Sequence, residues 1–260
     1  RESEELTEWL LKDCNIKWMV GARPIKIEKN KLFWENVKNE QGCIDFNFAM
    51  LIPQFIGQKI RYVNGTGEDI SSVMCNAAGF LKVDADYESV KKGYDNWKPE
   101  DWPSTYQSPL YPNIFAAGIA FAPPHPISAP SGVTPSGVTV HAAPPRTGMI
   151  ACIIGRLVAD NITEMVKNNN TIAKHRMAMS GMPAACVASQ RKSLWTGSAI
   201  MVALYPVVPN YEKYPKEHGG RDISITTYEI GKASAWTKQM FHYMFMYKMA
   251  AKPGWSLMPE

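Results

Sequence analysis

The sequence predicts an α/β chain, and three observations carry that expectation. A run of apolar and small residues, Pro112-Asn113-Ile114-Phe115-Ala116-Ala117-Gly118-Ile119, reads as a short buried strand ending in a glycine. Downstream, Pro144-Pro145-Arg146-Thr147-Gly148-Met149 reads as a proline-initiated helix start, with an apolar run over 149–158 behind it. Between residues 16 and 52, short β-rich runs alternate with turn residues.

In order, a helix is expected over 4–13, then strands at 16–20, 25–28, 32–35 and 44–52. Together these read as the end of a nucleotide-domain-like module covering 1–70. A hairpin follows at 76–84. The Trp- and Pro-rich insertion at 94–111, with Trp97 and Trp102, reads as a covering flap. The strand at 112–119 leads into a Pro-, Ser- and Gly-rich stretch over 122–145, which reads as one long loop. With the helix after Arg146, these segments make a second region, 71–170. The third, 171–260, holds strands around 184–188, 198–205 and 222–226, then a helix over 228–249 stopped by Pro253-Gly254.

Composition limits the function. At 260 residues, one large or two small domains with an apolar core are expected. The net charge of +4 is mild, and no basic run carries interleaved aromatics, so nucleic acid is not an expected partner. No stretch reaches the roughly 20 apolar residues of a membrane span. Five cysteines, Cys14, Cys43, Cys75, Cys152 and Cys186, lie far apart without a C-x-x-C or a histidine pair at ligand spacing, so no metal site is expected and mostly reduced thiols are. His125, His141, His175 and His218 each stand alone; the first two flank the long loop and could move protons, although ordinary loop histidines read as well.

A glycine at 118 lets backbone approach a ligand closely, and a helix N-terminus beside it offers free N–H groups to an electron-rich group. The pair resembles the flavoprotein disulfide reductases, where it holds the ribityl-phosphate and pyrimidine side of FAD. The acidic residue usual after that glycine is replaced here by Ile119. Pro145-Arg146-Thr147-Gly148-Met149 narrows the resemblance to sulfide:quinone oxidoreductases, whose element reads Pro-Lys-Thr-Gly-Tyr-Met. The segment Asp45 to Phe55, ending Pro53-Gln54-Phe55, is similar to the strand before that family's Pro-x-Phe. The hairpin Asn76-Ala77-Ala78-Gly79-Phe80-Leu81-Lys82-Val83-Asp84 fits the same order. The match runs from about residue 5 to residue 249.

The resemblance implies the C-terminal part of a two-Rossmann-like FAD/NAD(P)-binding flavoprotein with a C-terminal amphipathic helix. The dinucleotide fingerprint of the first Rossmann unit is not found, since Gly65-Thr66-Gly67 lacks a third glycine and a strand-to-helix setting. A missing N-terminal half, or a partner subunit supplying it, is therefore expected. So is an enzyme that oxidises sulfide to sulfane sulfur or polysulfide and passes two electrons through FAD to a quinone. Gly118, Ile119, Arg146, Thr147 and Gly148 would hold FAD.

Cys186, in a strand of small residues, would be the redox cysteine that carries sulfur; on residues alone it reads as a buried structural thiol. Lys238 would stabilise reduced flavin and Phe241 would line a quinone pocket, with Phe55 a further candidate. Taken alone, Lys238 reads as a solvated lysine and Phe241 as core packing. The 228–249 helix is apolar around much of its circumference, with Lys238, His242, Lys248 and Lys252 as its polar side. It would either pack in a core or oligomer contact or lie in the membrane interface, making a peripheral protein of the cell membrane. Two alternatives remain: a type II NADH:quinone dehydrogenase, against which Ile119 and Cys186 argue, and a non-catalytic sulfur-carrier or scaffold subunit.

Overall fold

Residues 22–45 form a three-stranded antiparallel meander, β1 (Ala22–Glu28), β2 (Lys31–Asn36) and β3 (Gln41–Asp45), paired in that order. Asn30, in the left-handed region at φ 59°, closes the first turn. The Asn36 side-chain oxygen closes the second, accepting the N–H groups of Lys38 and Glu40 at 2.9 Å. The computed structural model describes residues 2–52, 54–182, 184–191, 195–204, 208–215, 219–224 and 227–258. The chain packs as two units, Arg1–Ile56 with Pro126–Pro144, and Gly57–His125 with Pro145–Glu260.

In the first unit, helix α1 (Glu2–Asp13) lies where the sequence places one. The strand expected at 16–20 does not form: left-handed residues Asn15 and Gly21 bracket the segment, and no strand pairs with it. The strand expected at 44–52 is mostly absent too. β3 stops at Asp45, and the last backbone bond beyond it runs from Phe46 N–H to the Asn30 carbonyl at 2.9 Å.

The long loop is not structureless. It contains a small hairpin, β4 (Gly132–Val133) and β5 (Thr139–Val140). Buried Glu35 holds it, its carboxylate accepting the Ser136 hydroxyl and, at 3.3 Å, the Ser136 N–H, with Arg23 Nη1 3.9 Å away.

The second unit opens with a single turn, α2 (Ser71–Met74), and a turn closed by Asn76, whose side chain accepts Ala78 and Phe80 N–H at 3.1 and 3.0 Å. Leu81 then bridges Cys75 on one side and Phe121 on the other. The insertion at 94–111 is core rather than flap. Asp84 accepts the N–H groups of Ser104, Thr105 and Tyr106 at 2.7–3.1 Å and turns the chain inward, so that Trp97, Trp102 and Tyr106 are buried. The residues around 112–119 run extended with one bridge, Gln107 to Phe115, and end in a 3-10 turn over Gly118–Ala120.

Helix α3 (Gly148–Asn168) buries Ile150, Ile154, Leu157 and Val158, at the helical spacing of its apolar run. Left-handed Asn169 at φ 47° terminates it. A second antiparallel sheet follows, β6 (Ala184–Arg191), β7 (Ser198–Leu204) and β8 (Thr227–Gly231), in that order. The last strand lies later than the expected 222–226. Asp222 instead folds a turn by accepting Ser224 N–H at 2.9 Å, while Ile225 and Thr226 lie outside the described residues, as do Tyr205 and His218. Helix α4 (Lys232–Met249) consequently begins four residues after Tyr228, where Gly231 at φ 136° lets the strand turn into the helix. It packs against the sheet.

Candidate functional site

The segments singled out first, the Gly118 turn and the start of α3, meet within the second unit. Gly118 is buried at φ 68°, and a Cβ there would lie 3.4 Å from the Ala151 Cβ, so its small size sets how closely the turn approaches α3. The Arg146 guanidinium donates from Nη1 to the Ile119 carbonyl and lies 3.8 Å from the centre of the Phe80 ring. Burial pushes the Arg146 pKa below the ordinary guanidinium value. Phe80 belongs to the Asn76 turn, so one arginine fastens three chain segments together.

Thr147 is the N-cap of α3 in extended conformation, yet its hydroxyl takes no cap bond. Its Oγ1 is buried without a hydrogen-bond partner among the described residues. An N-cap threonine normally accepts an N–H of the first helical turn, and a buried hydroxyl with no partner costs about 1–3 kcal/mol. Gly148, the first helical residue, is exposed. A positive helix end, a close-approach glycine and an unpartnered hydroxyl suit an electron-rich cofactor edge or phosphate.

Cys186 lies on β6 opposite Val202 and is exposed rather than buried. None of the five cysteines forms a disulfide among the described residues; Cys14 and Cys75 are half-buried, Cys43 and Cys152 exposed. Burial, with a smaller contribution from Tyr62 and Lys82 in the opposite direction, pushes the Cys75 thiol above its ordinary pKa.

Lys238 leaves α4 to donate a 2.7 Å hydrogen bond to Ser189 Oγ on β6. Side chains alternate along a strand, and the register from 186 to 189 is regular, so Ser189 and Cys186 project from opposite faces. β6 is an edge strand, and its open edge borders both faces. Phe241 is half-buried, its ring centre 6.4 Å from that of Phe245. Phe55 is exposed and belongs to the first unit.

Two of the lysines expected on a headgroup side of α4 turn to protein partners instead, Lys238 to Ser189 and Lys248 to the Met258 carbonyl at 3.1 Å. The exposed side of the helix carries Trp236, Met240, Tyr243 and Met246. No helix among the described residues is long and apolar enough to cross a membrane.

The histidines lie elsewhere. His125 is buried, stacked 4.4 Å from the Trp97 ring with its Nε2 3.4 Å from an Asp101 oxygen, and is a core residue. His175 pairs with Glu164 at 2.8 Å, and His141 is exposed in the first unit. Sequence reading missed the roles of Phe80 and Ser189. Phe80 stands inside the 76–84 segment and Ser189 just past the strand around 184–188, but a ring under a guanidinium and a serine under a lysine leave no periodic signal.

No protein-family model matches the chain. The sulfide-quinone reductase of Aquifex aeolicus (strain VF5) is 25% identical over 247 residues, which is 95% of this chain and 45% of that protein. The X-ray structure of the sulfide:quinone oxidoreductase from the same hyperthermophilic bacterium superposes with a TM-score of 0.60 at 21% identity, again over 95% of this chain and 45% of that one. The chain thus spans about half the length of the relative it matches. It is similar to sulfide:quinone oxidoreductases along almost its whole length, as the order of its motifs led one to expect, and its span fits the C-terminal portion of such a protein.

Proposed function

We propose that this chain forms the C-terminal part of a two-Rossmann-like flavoprotein that oxidises sulfide to sulfane sulfur or polysulfide and passes two electrons through FAD to a membrane quinone. The observation that carries the reading is the buried, unpartnered Thr147 hydroxyl at the N-terminus of α3, beside the Gly118 turn and in the same unit as the Cys186 strand. Likeness to the sulfide-quinone reductase over 95% of the chain supplies the substrate class.

Bound FAD would supply the two-electron relay between thiol and quinone. Gly118, Ile119, Arg146, Thr147 and Gly148 would hold it: the glycine by admitting close approach, Arg146 by fixing the turn through the Ile119 carbonyl, and Thr147 by donating its hydroxyl. Cys186, exposed beside the open edge of β6, would hold the sulfur taken from sulfide. Lys238, fixed by Ser189, would place a cation along the same edge, where it favours the anionic reduced cofactor. Phe241 would give an aromatic surface for a flat quinone, and the apolar outer side of α4 would seat the protein peripherally on the cell membrane.

The test is sulfide-dependent quinone reduction by the protein as isolated from its source. Sulfide should reduce the quinone and bleach a flavin spectrum, while NADH should do neither. Turnover with NADH and none with sulfide would replace this reading with that of a type II NADH:quinone dehydrogenase.

A further inference from the structure

The second unit carries a cavity of about 340 Å³ between the end of α2, the segment 82–87 and the turn 108–110. That volume lies in the range of small-molecule sites. None of its lining residues is among those assigned to cofactor, sulfur or quinone. Met74 and Val83 are buried in its wall, while Val73 is 52% and Leu110 54% exposed. Apolar side chains left wet on a concave surface favour an apolar guest that takes them out of water.

The polar groups of the wall decide what else the guest must carry. The Asp84 carboxylate is taken up by the N–H groups of Ser104, Thr105 and Tyr106 and by the Ser104 hydroxyl. The Tyr87 hydroxyl accepts the Val83 N–H at 2.8 Å and donates to the Ala122 carbonyl at 3.2 Å. Two donors are left over. The buried Ser108 hydroxyl oxygen accepts the N–H groups of Leu110 and Tyr111 at 3.4 Å, but its own proton meets no acceptor among the described residues. The Lys82 ammonium likewise has neither an acceptor nor a carboxylate partner among them. Hydroxyl and ammonium donors together suit a guest that only accepts and carries negative charge, and hydrogen bonds between ionised partners are the strong ones.

We infer that this cavity binds a small monocarboxylate with an apolar body, its carboxylate on Lys82 and Ser108 and its body against Met74, Val83 and Leu110. The inference stands apart from the proposed function, because it uses only the lining of this cavity.

The experiment is calorimetric titration of the protein produced in its source, with three probes that share one apolar chain: octanoate, methyl octanoate and octylamine. Octanoate should bind once per chain, the uncharged ester about tenfold more weakly, and the amine not at all. Lys82→Met should bring octanoate down to the level of the ester, and Lys82→Arg should restore the difference. Leu110→Asp should abolish binding of both while leaving thermal unfolding unchanged, since Leu110 is more than half exposed. Absence of saturable octanoate binding would overturn the inference. So would binding that survives in Leu110→Asp, which would assign it to another apolar surface. Equal affinity for octanoate and its ester would remove the carboxylate, and with it the role of Lys82.

Discussion

The Lys238 ammonium and the Ser189 hydroxyl meet at 2.7 Å, tying α4 to the edge strand that bears Cys186 three residues earlier. The bond makes the C-terminal helix part of the candidate site rather than an appendage. Lys238 is therefore held in a fixed position, on the face of β6 opposite to Cys186.

Two substitutions separate the charge from its placement. Hydrogen bonds to charged groups contribute about 1.5–3 kcal/mol when buried, and less at an exposed position such as this. Ser189→Ala should therefore lower kcat for sulfide-dependent quinone reduction by about fivefold, on the order of 1 kcal/mol. Lys238→Met should cost more, about 100-fold, by removing the cation itself. Equal effects would show that the lysine acts only through the serine contact.

Thr147→Val distinguishes a ligand-binding hydroxyl from a structural one. Because Oγ1 has no partner, replacing it with a methyl group leaves stability unchanged or raises it. If the hydroxyl awaits the cofactor, flavin affinity falls by about tenfold, one hydrogen bond's worth. Thermal unfolding of the flavin-free protein and flavin titration measure the two effects, which should move in opposite senses.

The cysteines make a sharper contrast. Cys186→Ala should abolish sulfide-dependent quinone reduction and leave the flavin spectrum intact. Cys14→Ala, Cys43→Ala, Cys75→Ala and Cys152→Ala should retain most activity. Cys75 is the informative control, since burial raises its pKa and keeps it a protonated thiol, a poor nucleophile. Full turnover in the Cys186 variant would move the sulfur to another thiol.

What could be read in the sequence follows the range of the interactions involved. The α3 start was legible because Pro145, Thr147 and the apolar spacing behind them are local signals, and β6 and β7 showed through their runs of small and β-branched residues. The burial of Trp97 and Trp102 was not legible, because it depends on Asp84 capturing amides twenty residues away. The hairpin inside the loop escaped for the same reason: Ser136 finds Glu35 across 101 residues of chain. The expected strand at 44–52 is the instructive failure. Its pattern is that of a strand, yet only Ile44 and Asp45 pair, within β3, and among the described residues no strand pairs with the rest.

Glu35 gives a pH prediction with a definite sign. Its pKa is lowered chiefly by the Ser136 hydroxyl, against desolvation, with Thr134, the Ser136 N–H and Arg23 adding to the lowering. A carboxylate whose folded pKa lies below its unfolded value, about 4.3 for glutamate, contributes stability that is present above that value. The contribution is lost as pH falls through the lower folded value. Melting temperature should therefore drop more steeply below about pH 4 in the wild type than in Glu35→Gln. Parallel curves would show that the carboxylate contributes nothing to holding the hairpin.

A prediction about membrane binding rests on which side of α4 faces water. Trp236, Met240, Tyr243 and Met246 are exposed on successive turns, while Lys238 and Lys248 bond to the protein. Apolar area removed from water contributes about 25 cal/mol per Å². Lysines at an anionic surface would add about 1 kcal/mol each, but these two are engaged elsewhere. Binding to liposomes should therefore be driven by apolar burial and resist high salt, with neutral and anionic vesicles bound to a similar degree. Replacing Trp236, Met240 and Tyr243 together by serine should release the protein into the supernatant while leaving its fold intact, since each is at least half exposed. Quinone reduction should then fall with a membrane-dissolved quinone and persist with a water-soluble one. Pelleting of the triple variant, or release of the wild type by salt alone, would assign the membrane contact to another surface.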